Sequence, residues 1–179
     1  MVKVPYFGGT RVSRVSKSSI NNIDALLFDN PYVWANWPHN HSTEITFSFV
    51  EDLNPQLFTS NYKIPNPDID KIYTFNENIR NATRSALEEF SKVANISFSE
   101  VTETKEQVGT IRFGFTDHPR TLQNDNGSKE LAWGWARAPS NFPDGGDIWI
   151  SAAQKDESFI KGEDFNFLLY CMKLVMLYD

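Results

Sequence analysis

Residues 76–101 read NENIRNATRSALEEFSKVANISFSEV, and within this stretch the hydrophobic period changes from three or four residues to two. Ile79, Ala82, Ala86, Phe90 and Val93 recur at helical spacing, with Arg80, Arg84, Glu88, Glu89 and Lys92 around the rest of the circumference. That spacing predicts an amphipathic helix of about four turns, because one face of a 3.6-residue period collects the apolar side chains. The pattern stops near Asn95. Ile96 and Phe98 then alternate with polar residues, with Val101 following, which predicts a strand. A helix feeding directly into a strand belongs to a layered fold of sheet on helices.

Working outward, Glu44–Val50 (EITFSFV) alternates with Ile45, Phe47 and Phe49 on one side and Thr46 and Ser48 on the other, a strand ahead of the helix. Residues 51–72, with Pro55, Pro65 and Pro67 in a polar run, read as loop. Beyond the helix, Thr110–Thr116 (TIRFGFT) repeats the alternation through Ile111, Phe113 and Phe115. Asp117–Lys129 reads as a polar loop around Asn126-Gly127. Leu131–Ala136 (LAWGWA) reads as one short strand with Trp133 and Trp135 on the same side. Pro139–Gly146 turns the chain, Asp147–Ser151 (DIWIS) is a fifth strand, and Asp164–Tyr178 reads as a terminal helix. Toward the N-terminus, Ile23–Leu27 (IDALL) suits a short helical turn and residues 30–41 an exposed irregular loop. Residues 1–20 read as a flexible arm. One strand, a helix, four strands and a helix make an α/β or α+β domain, and no repeat or linker divides residues 21–179.

Composition narrows the function classes. The chain has 179 residues, 40% hydrophobic and 22% charged, which suits one packed domain and excludes disorder and coiled coil. Its net charge of -6 and pI near 5.1 argue against nucleic acid and against a polybasic membrane contact. One cysteine and three histidines allow no intramolecular disulfide and no finger-type zinc site. The opening MVKVPYFGGTRVSRVSKSS has no apolar h-region, hence no Sec signal, and no apolar run is long enough to span a membrane. An aromatic content of 14% fits ordinary core packing or an aromatic-lined groove.

The order of elements resembles the N-terminal half of a metzincin zinc protease catalytic domain. IDALL, ITFSF, SKVANISFSEVTE, IRFGF and LAWGWARAPSNFPDGGDIWIS, in that order over about residues 20 to 151, are similar to the serralysin and matrixin branch. The resemblance implies a metzincin-like (zincin) fold: a twisted, mostly parallel five-stranded sheet with two long helices, here without its C-terminal subdomain. It also implies a zinc endopeptidase that cleaves peptide bonds by attack of metal-activated water, acting on peptide or protein substrates outside the cell. The family's next element is a helix bearing H-E-x-x-H, whose histidines bind zinc while the Glu serves as general base. Gly162 and the apolar lead-in Phe165, Phe167, Leu168 and Leu169 arrive where that helix is expected. Cys171, Met172, Lys173, Leu174, Val175 and Met176 then stand in place of the motif.

The genetic code offers an origin for this departure. With Cys171 as TGC, Met172 as ATG, Lys173 as AAA, Leu174 as TTG, Val175 as GTC and Met176 as ATG, reading from the last base of Cys171 gives CAT GAA ATT GGT CAT GCT. Those triplets spell H-E-I-G-H-A, with Leu177 supplying the last two bases. The match ends at Tyr178 and Asp179, which yield Arg or a stop in that frame where the family has Gly. The reading is a single-base shift between about Gly162 and Tyr170, so that the chain is a truncated catalytic domain with neither zinc ligands nor a general base. A gene sequence that cannot encode CATGAAATTGGTCATGCT one base out of phase excludes it. The chain also shows no C-terminal export signal of the serralysin kind.

Other candidates divide between chemistry and structure. His39 and His41, two apart in a Pro/Asn loop, suit surface histidines, and His118 before Pro119 suits a turn. Cys171 in an apolar helix suits a buried small hydrophobe, with Lys173 its one cationic neighbour. Asp144-Gly145-Gly146-Asp147 resembles the matrixin calcium loop, and a metal-free Gly-Gly turn between strands explains it adequately and is the favoured reading. Trp133 and Trp149 stand where matrixins carry histidines for a structural zinc, so that zinc is not expected. By resemblance the strand holding Trp133, Gly134, Trp135 and Ala136 borders the cleft and pairs with extended substrate; core packing of one tryptophan is the alternative. Three function classes follow: a zinc endopeptidase by lineage that is inactive as this chain, a pseudoprotease acting as a peptide- or inhibitor-binding module, and an unrelated β-rich binding protein.

Overall fold

The structure, a computed structural model, describes residues 6–7, 12–14, 32–34, 43–51, 72–93, 96–104, 107–117, 121–123, 129–131, 134–139 and 144–154. In chain order the elements are β1 (Tyr6–Phe7), β2 (Val12–Arg14), β3 (Tyr32–Trp34), β4 (Thr43–Phe49), β5 (Ile72–Tyr73) and the helix α1 (Glu77–Val93). They continue with β6 (Ile96–Glu100), β7 (Gln107–Val108), β8 (Ile111–Thr116), β9 (Thr121–Gln123), β10 (Lys129–Leu131), β11 (Gly134–Ala136) and β12 (Ile148–Ser151). A 3-10 turn at Ala152–Gln154 follows. The expected terminal helix, the Ile23–Leu27 turn and all three histidines lie outside the described residues.

The chain is α/β with a mixed, mostly parallel sheet. Its strand order is β11-β12-β8-β4-β6. β4 runs parallel to both β6 and β8, and β12 runs parallel to β8. β11 closes one edge antiparallel to β12. β5 adds antiparallel to the end of β8, opposite β12 and past the point where β4 stops pairing, so the sheet has six strands where five are expected. Ile72 is buried, but a two-residue strand is too short to show a period, which is why residues 51–72 look like uniform loop.

The helix starts where Asn76 caps it: the Asn76 side-chain oxygen accepts from the Ile79 N–H at 3.1 Å, and its carbonyl accepts from Arg80 N–H. Glu77 in the first turn and Lys92 in the last complement the helix dipole. Ile79, Ala86, Leu87 and Phe90 pack against Ile45, Phe47, Phe49, Ile111, Phe113, Phe115, Ile148 and Ile150. Each such aliphatic or aromatic side chain, fully buried, contributes about 1.5–3 kcal/mol relative to exposure. Five phenylalanines meet edge-on or tilted, the closest pair being Phe75 and Phe115 at 4.8 Å between ring centroids.

Three short pairings lie outside the main sheet. β1 runs parallel to β7 and β2 antiparallel to β3, so two pieces of the first twenty residues are strand-paired. β9 and β10 form an antiparallel pair, which puts one strand inside the 117–129 segment read as polar loop and starts another at its end. LAWGWA accordingly divides: Leu131 ends β10 and Gly134 begins β11, two strands with different partners. Period-two alternation carries through such a change of partner unaltered, so it cannot report one. No helix among the described residues is long and apolar enough to cross a membrane.

Candidate functional site

β11 and the turn that joins it to β12 carry the described part of the predicted site. The register pairs Gly134 with Ile150, Trp135 with Trp149 and Ala136 with Ile148. Directly opposed residues in an antiparallel pair share a face, so the two indoles meet, with centroids 6.3 Å apart. Trp149 is fully buried and Trp135 is 8% exposed, whereas Gly134 and Ala136 are half-buried. Trp135 therefore packs into the sheet, and the polar groups that β11 offers outward are those of its backbone. Beneath them, β8 carries Gly114, where a Cβ would stand 2.9 Å from Trp149 Cζ3 and 3.0 Å from Val50 Cγ2. The glycine makes room for the indole. Trp133 and the run Cys171, Met172, Lys173, Leu174, Val175 and Met176 lie outside the described residues.

The turn Asp144–Gly146 is closed from several directions. Asp147 N–H donates to the Asp144 carbonyl at 3.2 Å, and Arg137 N–H donates to the Asp147 carbonyl at 2.9 Å. Gly146 has φ 86°, a left-handed conformation that glycine adopts without strain. Both carboxylates are buried: Asp144 is 2% and Asp147 0% exposed. Arg137 Nε stands 3.0 Å from Asp144 Oδ2, and the same guanidinium lies over the Trp135 ring, 5.8 Å from its centroid. Asp147 Oδ1 accepts from Arg112 N–H at 3.2 Å, while its Oδ2 is buried with no hydrogen-bond partner among the described residues. Burial pushes the Asp147 carboxyl well above its usual range, and the Arg112 N–H opposes this only in part.

A second polar cluster sits under the sheet beside this turn. Arg112 and Glu103 are both fully buried at their side chains and form a two-point ion pair, Nε to Oε1 at 2.7 Å and Nη2 to Oε2 at 2.9 Å. Ser48 Oγ donates to Glu103 Oε1 at 2.9 Å and accepts from Gly109 N–H at 2.9 Å. The alternation in TIRFGFT leaves Arg112 on the face away from α1, a position that suits solvent exposure in a one-sided sheet. Central strands of a parallel sheet are buried on both faces, and all six residues of β8 are buried. An arginine at the middle of such a strand, with a glutamate nearby in sequence, is the signal that could have found the pair.

On the far side of the sheet a cavity of about 460 Å³ opens between α1 and β6. Phe47, Leu87 and Phe98 floor it, and Arg84, Glu88 and Lys92 rim it. Arg84 is held there by Glu100 at 2.7 Å and Glu77 at 2.7 Å, hydrogen-bonded partners that keep its guanidinium charged.

Catalytic zinc requires three protein ligands and a base for the bound water. The donor set of residues 171–176 is one thiol, two thioethers and one amine, which does not fit such a centre. Among the described residues no three His, Cys, Asp or Glu side chains converge. No protein-family model and no curated protein matches the chain.

Proposed function

We propose that the chain is the sheet-bearing part of a zinc endopeptidase catalytic domain of the serralysin and matrixin type, that it does not hydrolyse peptides as it stands, and that β11 keeps the capacity to bind an extended peptide or inhibitor. The observation that carries the reading is the position of β11. It is the antiparallel edge of an otherwise parallel run and, among the described residues, pairs on one side only, with β12. An edge strand of this kind offers backbone N–H and C=O groups to an incoming strand. The resemblance supports the same assignment, since it puts Trp133, Gly134, Trp135 and Ala136 on the strand that borders a substrate cleft. Lineage also implies an extracellular enzyme that uses zinc.

The test has two arms. In the gene, codons 171–177 should read CATGAAATTGGTCATGCT one base out of phase, and a sequence that cannot do so removes the protease lineage. In the purified chain, no stoichiometric zinc and no casein hydrolysis are expected, while extended peptides bind and their backbone N-methylated copies do not. Zinc-dependent hydrolysis by this chain would overturn the inactive reading; equal affinity for the N-methylated peptides would overturn strand addition at β11.

A further inference from the structure

The turn between β11 and β12 has a second property, independent of the peptidase reading. A loop that brings two aspartates and a pair of glycines together invites a hard cation, and calcium asks for six to eight oxygen ligands. Asp144 is already paired by charge: its Oδ2 stands 3.0 Å from Arg137 Nε, a close contact outside hydrogen-bond geometry, and its side chain is 3% exposed against 28% for Arg137. A divalent ion on that oxygen would stand beside a fixed guanidinium, with like charges opposed in a partly desolvated site. Two of the turn's backbone carbonyls are also spent inward, since that of Asp144 accepts from Asp147 N–H and that of Asp147 from Arg137 N–H. Arg137 therefore meets the turn twice, through its main chain at Asp147 and its side chain at Asp144. It meets β11 a third time by lying over Trp135.

We propose that the Arg137 guanidinium is the resident cation of this turn, clasping Asp144 to Trp135 so that the β11–β12 edge is held without a metal ion. The site that resembles a calcium loop is thus closed by a side chain of the chain itself. Breaking the pair from one end leaves a buried carboxylate uncompensated; removing both charges together does not.

The clasp is tested on the full chain by thermal unfolding in EDTA and in calcium, with terbium luminescence sensitised by Trp135 and Trp149 as the binding readout. For the wild type, coincident midpoints and no saturable terbium signal are expected. Arg137→Met should lower the midpoint by about 4–8 °C, Arg137→Lys by less, and Arg137→Met with Asp144→Asn should recover most of the loss. Calcium should restore part of the midpoint in Arg137→Met alone. A wild-type midpoint raised by calcium together with saturable terbium binding would overturn the proposal. So would a double variant no more stable than Arg137→Met. If Arg137→Met fails to fold, the Arg137→Lys and double-variant comparison decides alone.

Discussion

On the side of α1, β4 presents Ile45, Phe47 and Phe49 and β8 presents Ile111, Phe113 and Phe115. On the opposite side the same two strands present Thr46, Ser48, Arg112 and Gly114. Both faces exclude water at the centre of the sheet, yet they do so by different physics. The first is held by area and shape, where many weak contacts add and small changes are absorbed. The second is held by direction: a two-point Arg112–Glu103 pair, a serine that bridges it to Gly109, and a backbone N–H aimed at Asp147. The apolar face should forgive substitution of like by like, whereas the polar face should fail when one member is removed and recover when its partner goes too.

The largest effect expected from that contrast is at the buried pair. Arg112→Met or Glu103→Gln alone should cost about 3–5 kcal/mol in urea unfolding, and replacing both by apolar residues of similar volume should recover most of it. Equal loss in the double variant would show that packing, not charge, holds this face. Gly109→Ala comes next, at about 1–3 kcal/mol, because its new Cβ would meet the Phe47 and Ser48 backbone at 2.4–2.6 Å, where no side chain can rotate away. Ile45→Val on the apolar face should cost only about 0.5–1.5 kcal/mol; a loss as large as at Arg112 would erase the distinction.

Asp147→Asn sharpens the comparison through pH. Burial raises the folded-state pKa of Asp147, so the folded chain keeps a proton that the unfolded chain releases once pH passes the ordinary carboxylate range, about 4. The stability associated with this group is complete below that range and is lost as pH climbs toward the raised value. Asparagine does not titrate, so the stability difference between variant and wild type should move in the variant's favour as pH rises above the ordinary carboxylate range. Parallel pH profiles for the two chains would show that Asp147 is ionised at little cost in the fold.

The strands and helix of the apolar face were legible because their periods are long enough to count. Ile79, Ala86 and Phe90 point to the helix, and Ile45, Phe47, Ile111 and Phe113 to the two central strands, with ends correct to a residue or two. Less legible was everything whose meaning lies in a partner distant in sequence. Arg112 at mid-strand signals a buried acidic partner without saying that Glu103 is the one turned to meet it, and nothing in LAWGWA says that Leu131 pairs with Thr121 while Trp135 pairs with Trp149. The edge strand was half readable. Gly134, Trp135 and Ala136 do form the edge strand, yet Trp135 faces its own sheet, because the register opposite Trp149 decides which way it points. Arg137 carried no signal of its own, since a single basic residue after a strand reads as solvated.

The spacing of partners along β4 also sets an order of assembly. β4, α1 and β6 all lie within residues 43–100, with β5 between β4 and α1, and the parallel pairing of β4 with β6 closes through the helix. β8 docks on the other edge of β4, with Thr46 and Thr110 bonded across 64 positions, and β12 and β11 can add only after it. During synthesis the β4–α1–β6 unit is complete before Arg112 has left the ribosome, whereas Glu103 emerges first and waits for it. The two closures span similar lengths of chain, so loop entropy barely separates them and the order follows from synthesis. The polar face is therefore the last part of the centre to lock, because the ion pair of Glu103 cannot form until Arg112 follows it out.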